Sequence, residues 1–359
     1  DGVEYYFDSI NQFHAELDDM FGYERKTEEH VKSFIHRLFK FLSKYQNDYL
    51  RSPNEIAQAA YRLTDSSLYL KHSTLILKCI LERECLDPSV PDQTLEISYA
   101  FLYYLGSEDA RYMEYIVAEA SINQRNQLFR KIILELQSFT GGYPLMSISF
   151  KLLFEMGKIS QASEADLDFI TFDQLYFFFN LIECTRDDSE EEFNYQIIHF
   201  LLVLNEQYMM AHMENKVLGA LSRKFGQCDT LSQNLVFMLN RSEDRCVQML
   251  ILKMLYGILS RSDICDFFYT NDLYVLVDII LRRLEELGDD KESSRLCNGY
   301  LRVLYPLLTS TALRNYLYKK YEIHKTLCTL IAPYLHRKIR HSTQKLVQKI
   351  LEDWWEPIC

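Results

Sequence analysis

The side chains able to do chemistry are plentiful in this chain, but they do not stand at catalytic spacings. Its nine histidines include no HExxH pair, the pattern that sets two metal ligands one turn apart on a helix face. His336 and His341 are five residues apart, a poor spacing for holding one ion jointly on a helix. Asp187, Asp188, Glu190, Glu191 and Glu192 form an acidic run, without the alternation and central glycine of a calcium loop. It reads as a solvated link between helices. Gly141 and Gly142 precede Tyr-Pro and read as a turn, and there is no GxGxxG, P-loop or GxSxG. Tyr176-Phe177-Phe178-Phe179 could stack bases in a basic groove, but in an acidic chain and at helical spacing it reads as core. No catalytic, cofactor-binding or metal-ligating residue is assigned, and the expectation is a protein that is not an enzyme. No nucleic-acid partner is expected.

Charge is more informative. The formal net charge is −12, yet residues 314–349 hold nine Lys and Arg against one acid, Glu322. A cationic end on an acidic body can steer association with an acidic surface. Lys319, Lys320, Arg337, Lys338, Arg340 and Lys345 are the candidate partner-contacting residues, against the plainer reading of a solvated face. Trp354 and Trp355 are expected to pack back as a cap over the last repeat, the alternative being a partner anchor.

The elements that would position these residues are helices. Gly (11) and Pro (7) are scarce and 48% of the chain is hydrophobic, which favours long helices over an all-β design. The periodicity predicts helices over about 27–49, 53–64, 67–84, 94–106 and 122–139, with a break at 87–93 where two prolines fall. Beyond Gly141 a pattern repeats. Short, nearly all-apolar segments at 172–183, 231–240, 271–284 and 325–337 are each followed by a polar link and a longer amphipathic segment. Their starts are spaced roughly forty to sixty residues apart, as in degenerate armadillo or HEAT arrays. In YTNDLYVLVDIILRRL (269–284), Thr270, Asn271 and Asp272 offer capping oxygens, while Val275 and Ile279 widen the apolar face until the helix is oily on most sides. An inner solenoid helix requires that. The expected fold is all-α, an armadillo/HEAT-like helical-repeat solenoid with an N-terminal helical segment. Its expected parts are 1–140, an N-terminal helical region, and 141–359, an armadillo-like leucine-rich domain, together one continuous helical body. The nine cysteines are scattered without CxxC and read as buried, reduced thiols of a cytosolic protein. No apolar run reaches the roughly 18 residues of a membrane span, so membrane insertion is not expected. No signal peptide is visible, and the Asp-Gly start reads as a trimmed N-terminus.

Three blocks carry a resemblance. LNRSEDRCVQMLILKMLYGILS (239–260), FFYTNDLYVLVDII (267–280) and YLRVLYPLL (300–308) resemble, in order and phrasing, the leucine-rich domain of the WISH/DIP/SPIN-ninety family. The sequence shows neither the SH3 domain nor the Pro-rich segments of the animal members, so it is most similar to the compact fungal Dip-type proteins. The resemblance implies an armadillo-like protein that binds the Arp2/3 complex and activates it without a pre-existing actin filament. The product would be a linear seed filament for branched networks at cortical, endocytic actin patches. Actin would be engaged indirectly, through the nucleated filament, in the cytoplasm. The residues alone leave open a helical-repeat adaptor holding another protein or peptide in its groove.

Overall fold

The structure, a computed structural model, describes residues 7–23, 25, 27–138, 142–187, 191–288, 290–315, 318–332 and 341–355. The chain is all-α apart from one two-residue hairpin among these residues. It divides into two compact units, Asp1–Ile170 and Thr171–Cys359.

The first unit is built from α1 (Ile10–Gly22), α2 (Glu28–Tyr49), α3 (Pro53–Thr64), α4 (Ser67–Cys79), α5 (Asp92–Glu108), α6 (Ala110–Glu119), α7 (Gln127–Ser138), α8 (Tyr143–Ile159) and α9 (Glu164–Phe169). Local chemistry explains the starts. Thr27 caps α2 by accepting from the His30 N–H, with Glu28 and Glu29 favourably placed in the first turn. Ser52 and Glu55 close a capping box on α3 around Pro53. The buried stripe of α2 is the expected Val31, Phe34, Ile35, Leu38, Phe39 and Leu42. Two expectations change. The helix predicted over 67–84 runs into a π-turn at Ile80–Cys85. The helix predicted from 122 begins at Gln127 instead, because Ser121–Ile122 pairs antiparallel with Arg125–Asn126. The turn residues Asn123 and Gln124 adopt φ 49° and 61°, the left-handed conformation that two-residue hairpin turns favour. The Asn126 side chain then accepts the Phe129 N–H at 2.8 Å and starts α7.

The second unit comprises α10 (Phe172–Cys184), α11 (Glu191–Met210), α12 (Lys216–Arg223), α13 (Asp229–Arg241), α14 (Arg245–Leu259), α15 (Thr270–Glu286), α16 (Lys291–Thr309), α17 (Lys320–Ile331) and α18 (His341–Trp354). Its packing is that of stacked repeats. The pairs α10/α11, α13/α14, α15/α16 and α17/α18 lie in two layers, with α10, α13, α15 and α17 packed in succession in one and α11, α14, α16 and α18 in the other. Gly299 permits the close approach of α14 and α16: a Cβ there would stand 3.0 Å from Leu252 Cδ1 and 3.3 Å from Met249 Sδ. Polar rungs cross from repeat to repeat. Asn234 donates to Asn194 (2.9 Å), Arg282 to Asn240 (2.6 Å), Thr343 to Asn298 (2.8 Å) and Tyr305 to Asp353 (2.8 Å). α12, a third short helix between the first two pairs, lies outside the expected pattern, as do α6 and α8.

α15 departs from expectation at its start. Its N-cap is Tyr269, with no side-chain cap bond, so Thr270, Asn271 and Asp272 lie inside the first turn. Asn271 is exposed. One carboxylate oxygen of Asp272 is buried without a partner among the described residues, and burial raises its carboxyl above the usual range, against a smaller relief from the Tyr269 backbone N–H. Ile279 is buried as expected, but Val275 is 44% exposed, so the oily face is narrower than its composition implies. The cysteines split likewise. Cys79, Cys85, Cys228 and Cys297 are buried thiols, whereas Cys184 and Cys246 are exposed; Cys359 lies outside the described residues.

Candidate functional site

The basic end of the second unit is organised by one backbone reversal. Lys319, the residue before α17, has φ 45° and ψ 29°, a left-handed conformation costing a side-chain-bearing residue roughly 1–2 kcal/mol. Interactions on both sides hold it there. Tyr318 stacks on Tyr274 with ring centroids 4.2 Å apart and shares its hydroxyl between the two Asp278 oxygens at 3.1 Å each. Lys319 Nζ lies 2.8 Å from Asp278 Oδ1, and that hydrogen bond, ahead of the opposing desolvation, raises its pKa. Lys319 is therefore committed to α15 of the preceding repeat.

Lys320 has different neighbours. Its ammonium stands 5.3 Å from the Trp355 ring centroid and 5.9 Å from that of Trp354, within cation–π range. Trp355 in turn stacks on His324 at 3.9 Å with the rings 26° apart. The two tryptophans thus fold back on α17, as the cap reading expects. Tyr321, beside Lys320, is 71% exposed, and Lys325 is exposed one turn further. Lys345 is exposed on α18 but lies nine residues from Trp354, roughly 14 Å at the helical rise, so it is not gathered with Lys320. Arg337, Lys338 and Arg340 lie outside the described residues, as does His336 of the pair considered for metal. Among the described residues, Lys320, Lys325 and Lys345 have no carboxylate within ion-pair distance, unlike Lys319.

A second surface escaped the sequence reading. On the layer of longer helices, Tyr256 is 39% exposed, Lys349 stands 4.5 Å above the Tyr305 ring, and Arg302 is exposed beside it. The signal was present as polar and aromatic residues on the solvent positions of amphipathic helices, but only tertiary stacking aligns them. Of the aromatic run in α10, Phe178 and Phe179 are fully buried. Among the described residues, no group of three His, Cys, Asp or Glu has metal-holding geometry, and no helix is long and apolar enough to cross a membrane.

Stacked helix pairs ending in a cationic, aromatic surface define a helical-repeat protein of the armadillo/HEAT kind. Residues 190–323 match the family described as SPIN90/Ldb17, leucine-rich domain, an interval that holds all three of the resembling blocks. Over this segment the chain is similar to that family. It is 34% identical over 195 residues to Protein LDB17 of Saccharomyces cerevisiae, a match covering 51% of this chain and 38% of that protein. It is 26% identical to Protein dip1 of Schizosaccharomyces pombe over 87% of this chain and 84% of the relative. Protein LDB17 of Eremothecium gossypii is 29% identical over 69% of this chain and 53% of its own length. The matches therefore span between about a third and a half of the two LDB17 proteins. Among solved structures, an engineered protein aligns at 14% identity with a TM-score of 0.43, covering 97% of this chain and 75% of its own.

Proposed function

We propose that this protein binds the Arp2/3 complex and activates it without a pre-existing filament, producing linear seed filaments that start branched actin networks. The carrying observation is the family match over 190–323, with alignment to the fission-yeast relative along 84% of its length. In this reading the protein is not an enzyme and the nucleotide chemistry belongs to the partner. It works in the cytoplasm at cortical actin patches during endocytosis, touching actin only through the filament it nucleates. A helical-repeat unit can do this by binding one conformation of an assembly better than another. Reversing a 1:99 population to 99:1 needs about 5.5 kcal/mol of differential binding, within reach of an interface of standard size.

The test is pyrene-actin assembly with purified Arp2/3 complex and no added filaments or activating peptide. Titrating this protein should shorten the lag in proportion to dose, and only when Arp2/3 is present. Filaments viewed singly should be linear. An assembly rate that stays basal across the titration sinks the proposal, and so do products that are exclusively branched.

A further inference from the structure

We propose that the surface where the start of α17 meets the end of α18 is a docking site for an acidic protein segment. The proposal rests on the proposed function for the identity of the partner, a subunit surface of the Arp2/3 complex, but its chemistry can be tested without that complex.

The first argument is the contrast between adjacent lysines. Lys319 is bonded to Asp278, whereas Lys320, one residue on, has only indole faces beneath it. Elsewhere in the unit cations meet acids across repeats, as Lys253 meets Glu206 and Arg245 meets Asp290 and Glu292. The chain has 51 acids to 39 Lys and Arg, so acids are abundant, yet residues 314–349 hold only Glu322. Of the acids nearby, Asp353 is taken by Tyr305, and Glu285 lines a cavity with Lys325 without pairing with it. Lys320 and Lys325 are thus cations without a carboxylate among the described residues.

The second argument is the aromatic shelf. Trp354 and Trp355 stand beside Lys320, and the next residue along the helix, Tyr321, is 71% exposed. Tyrosine and tryptophan beside cations are where interface energy concentrates, and a carboxylate on the shelf would meet an ammonium already partly shielded from water. The left-handed Lys319 backbone is what sends the two lysines to different partners.

The net charge selects the kind of anion. A chain at −12 repels a nucleic acid or an anionic bilayer along most of its length. A short carboxylate-rich segment needs only the local field, which decays within about 10 Å. The family match ends at residue 323, so His324, Lys325 and both tryptophans lie beyond the domain it describes.

The chain contains two tryptophans, both in this shelf, so emission excited selectively from tryptophan, beyond the absorption of the 25 tyrosines, reports on it. The full chain is titrated with a short acidic peptide of Glu, Asp and Leu that has no aromatic residues. The expected result is a saturable emission change that weakens roughly tenfold between low and physiological salt. It should be absent for the same peptide with Gln and Asn in place of the acids. Lys320→Glu with Lys325→Glu should abolish it, and Tyr321→Ala should weaken it while leaving far-UV circular dichroism unchanged. If the charge reversal does not fold, Lys320→Gln with Lys325→Gln serves in its place. Equal binding by the charge variants, no emission change with wild type, or tighter binding of phosphatidylserine vesicles or single-stranded RNA would each overturn the proposal. Peptide binding by a chain that leaves the Arp2/3 complex at its basal rate upholds this site and sinks the proposed function. Activation without peptide binding does the reverse.

Discussion

At Tyr300 a fully buried hydroxyl has no partner among the described residues, and burial raises its pKa. Leaving such a donor unmade costs more than a typical hydrogen bond returns, so removing it is close to neutral or favourable. Tyr300→Phe should leave the thermal midpoint unchanged or higher, whereas Tyr300→Ala should cost about 3–5 kcal/mol through the cavity. A loss above about 1 kcal/mol for the Phe variant in urea unfolding would show that the hydroxyl has a partner. Glu96 is a related case. Burial raises its carboxyl above the ordinary range, only partly offset by the hydrogen bond from Gln46. For a carboxyl raised on folding, the favourable contribution is full below its unfolded pKa and is lost as pH rises through the folded value. Glu96→Gln should therefore raise the midpoint at pH 7 and gain little near pH 4. Unfolding curves at both pH values check this, and equal gains at the two would remove burial as the cause.

The helices themselves show what could be read beforehand and what could not. α13 and α15, with their longer companions, were legible because a run apolar on most sides needs cover on two faces, and stacking supplies it. The segment expected at 325–337 instead begins at Lys320 and ends at Ile331 as α17, and 333–337 lie outside the described residues. The start of α15 was misread because three polar residues in a row offered capping oxygens, while the reversal into the helix falls one residue earlier, at Tyr269. Asn271→Ala should then change stability by less than about 0.5 kcal/mol. Thr171→Ala should cost about 0.5–2 kcal/mol, because Thr171 closes a capping box with the buried Gln174 on α10. Thermal unfolding of the two variants side by side decides it, and a larger loss at Asn271 would restore it as the cap. The site was half legible. Lysines concentrated in 314–349 stood out by composition. Their division into one bonded and one unbonded neighbour depends on a single φ angle, and the stack of His324 on Trp355 joins residues that no helical period relates.

Across the second unit, each repeat leans only on its neighbours, so stability is a sum of adjacent contacts rather than one shared core. α18 packs on α16 and α17, while α14 and α16 have a neighbour on either side within their layer. Amide exchange should accordingly be slowest in α14 and α16 and fastest in α18, by direct measurement on the intact chain. Uniform protection would mean the unit opens as a single body. The polar rungs carry a consequence for how such a chain can change length. A residue inserted within α16 turns everything after it by about 100°, which would pull Asn298 out of step with Thr343 and Tyr305 with Asp353 together. An insertion between α10 and α11 or between α15 and α16 disturbs no rung. Natural length variants should accordingly gain and lose residues between helices, with the helices themselves inherited at constant length, like stair treads whose landings alone can be rebuilt.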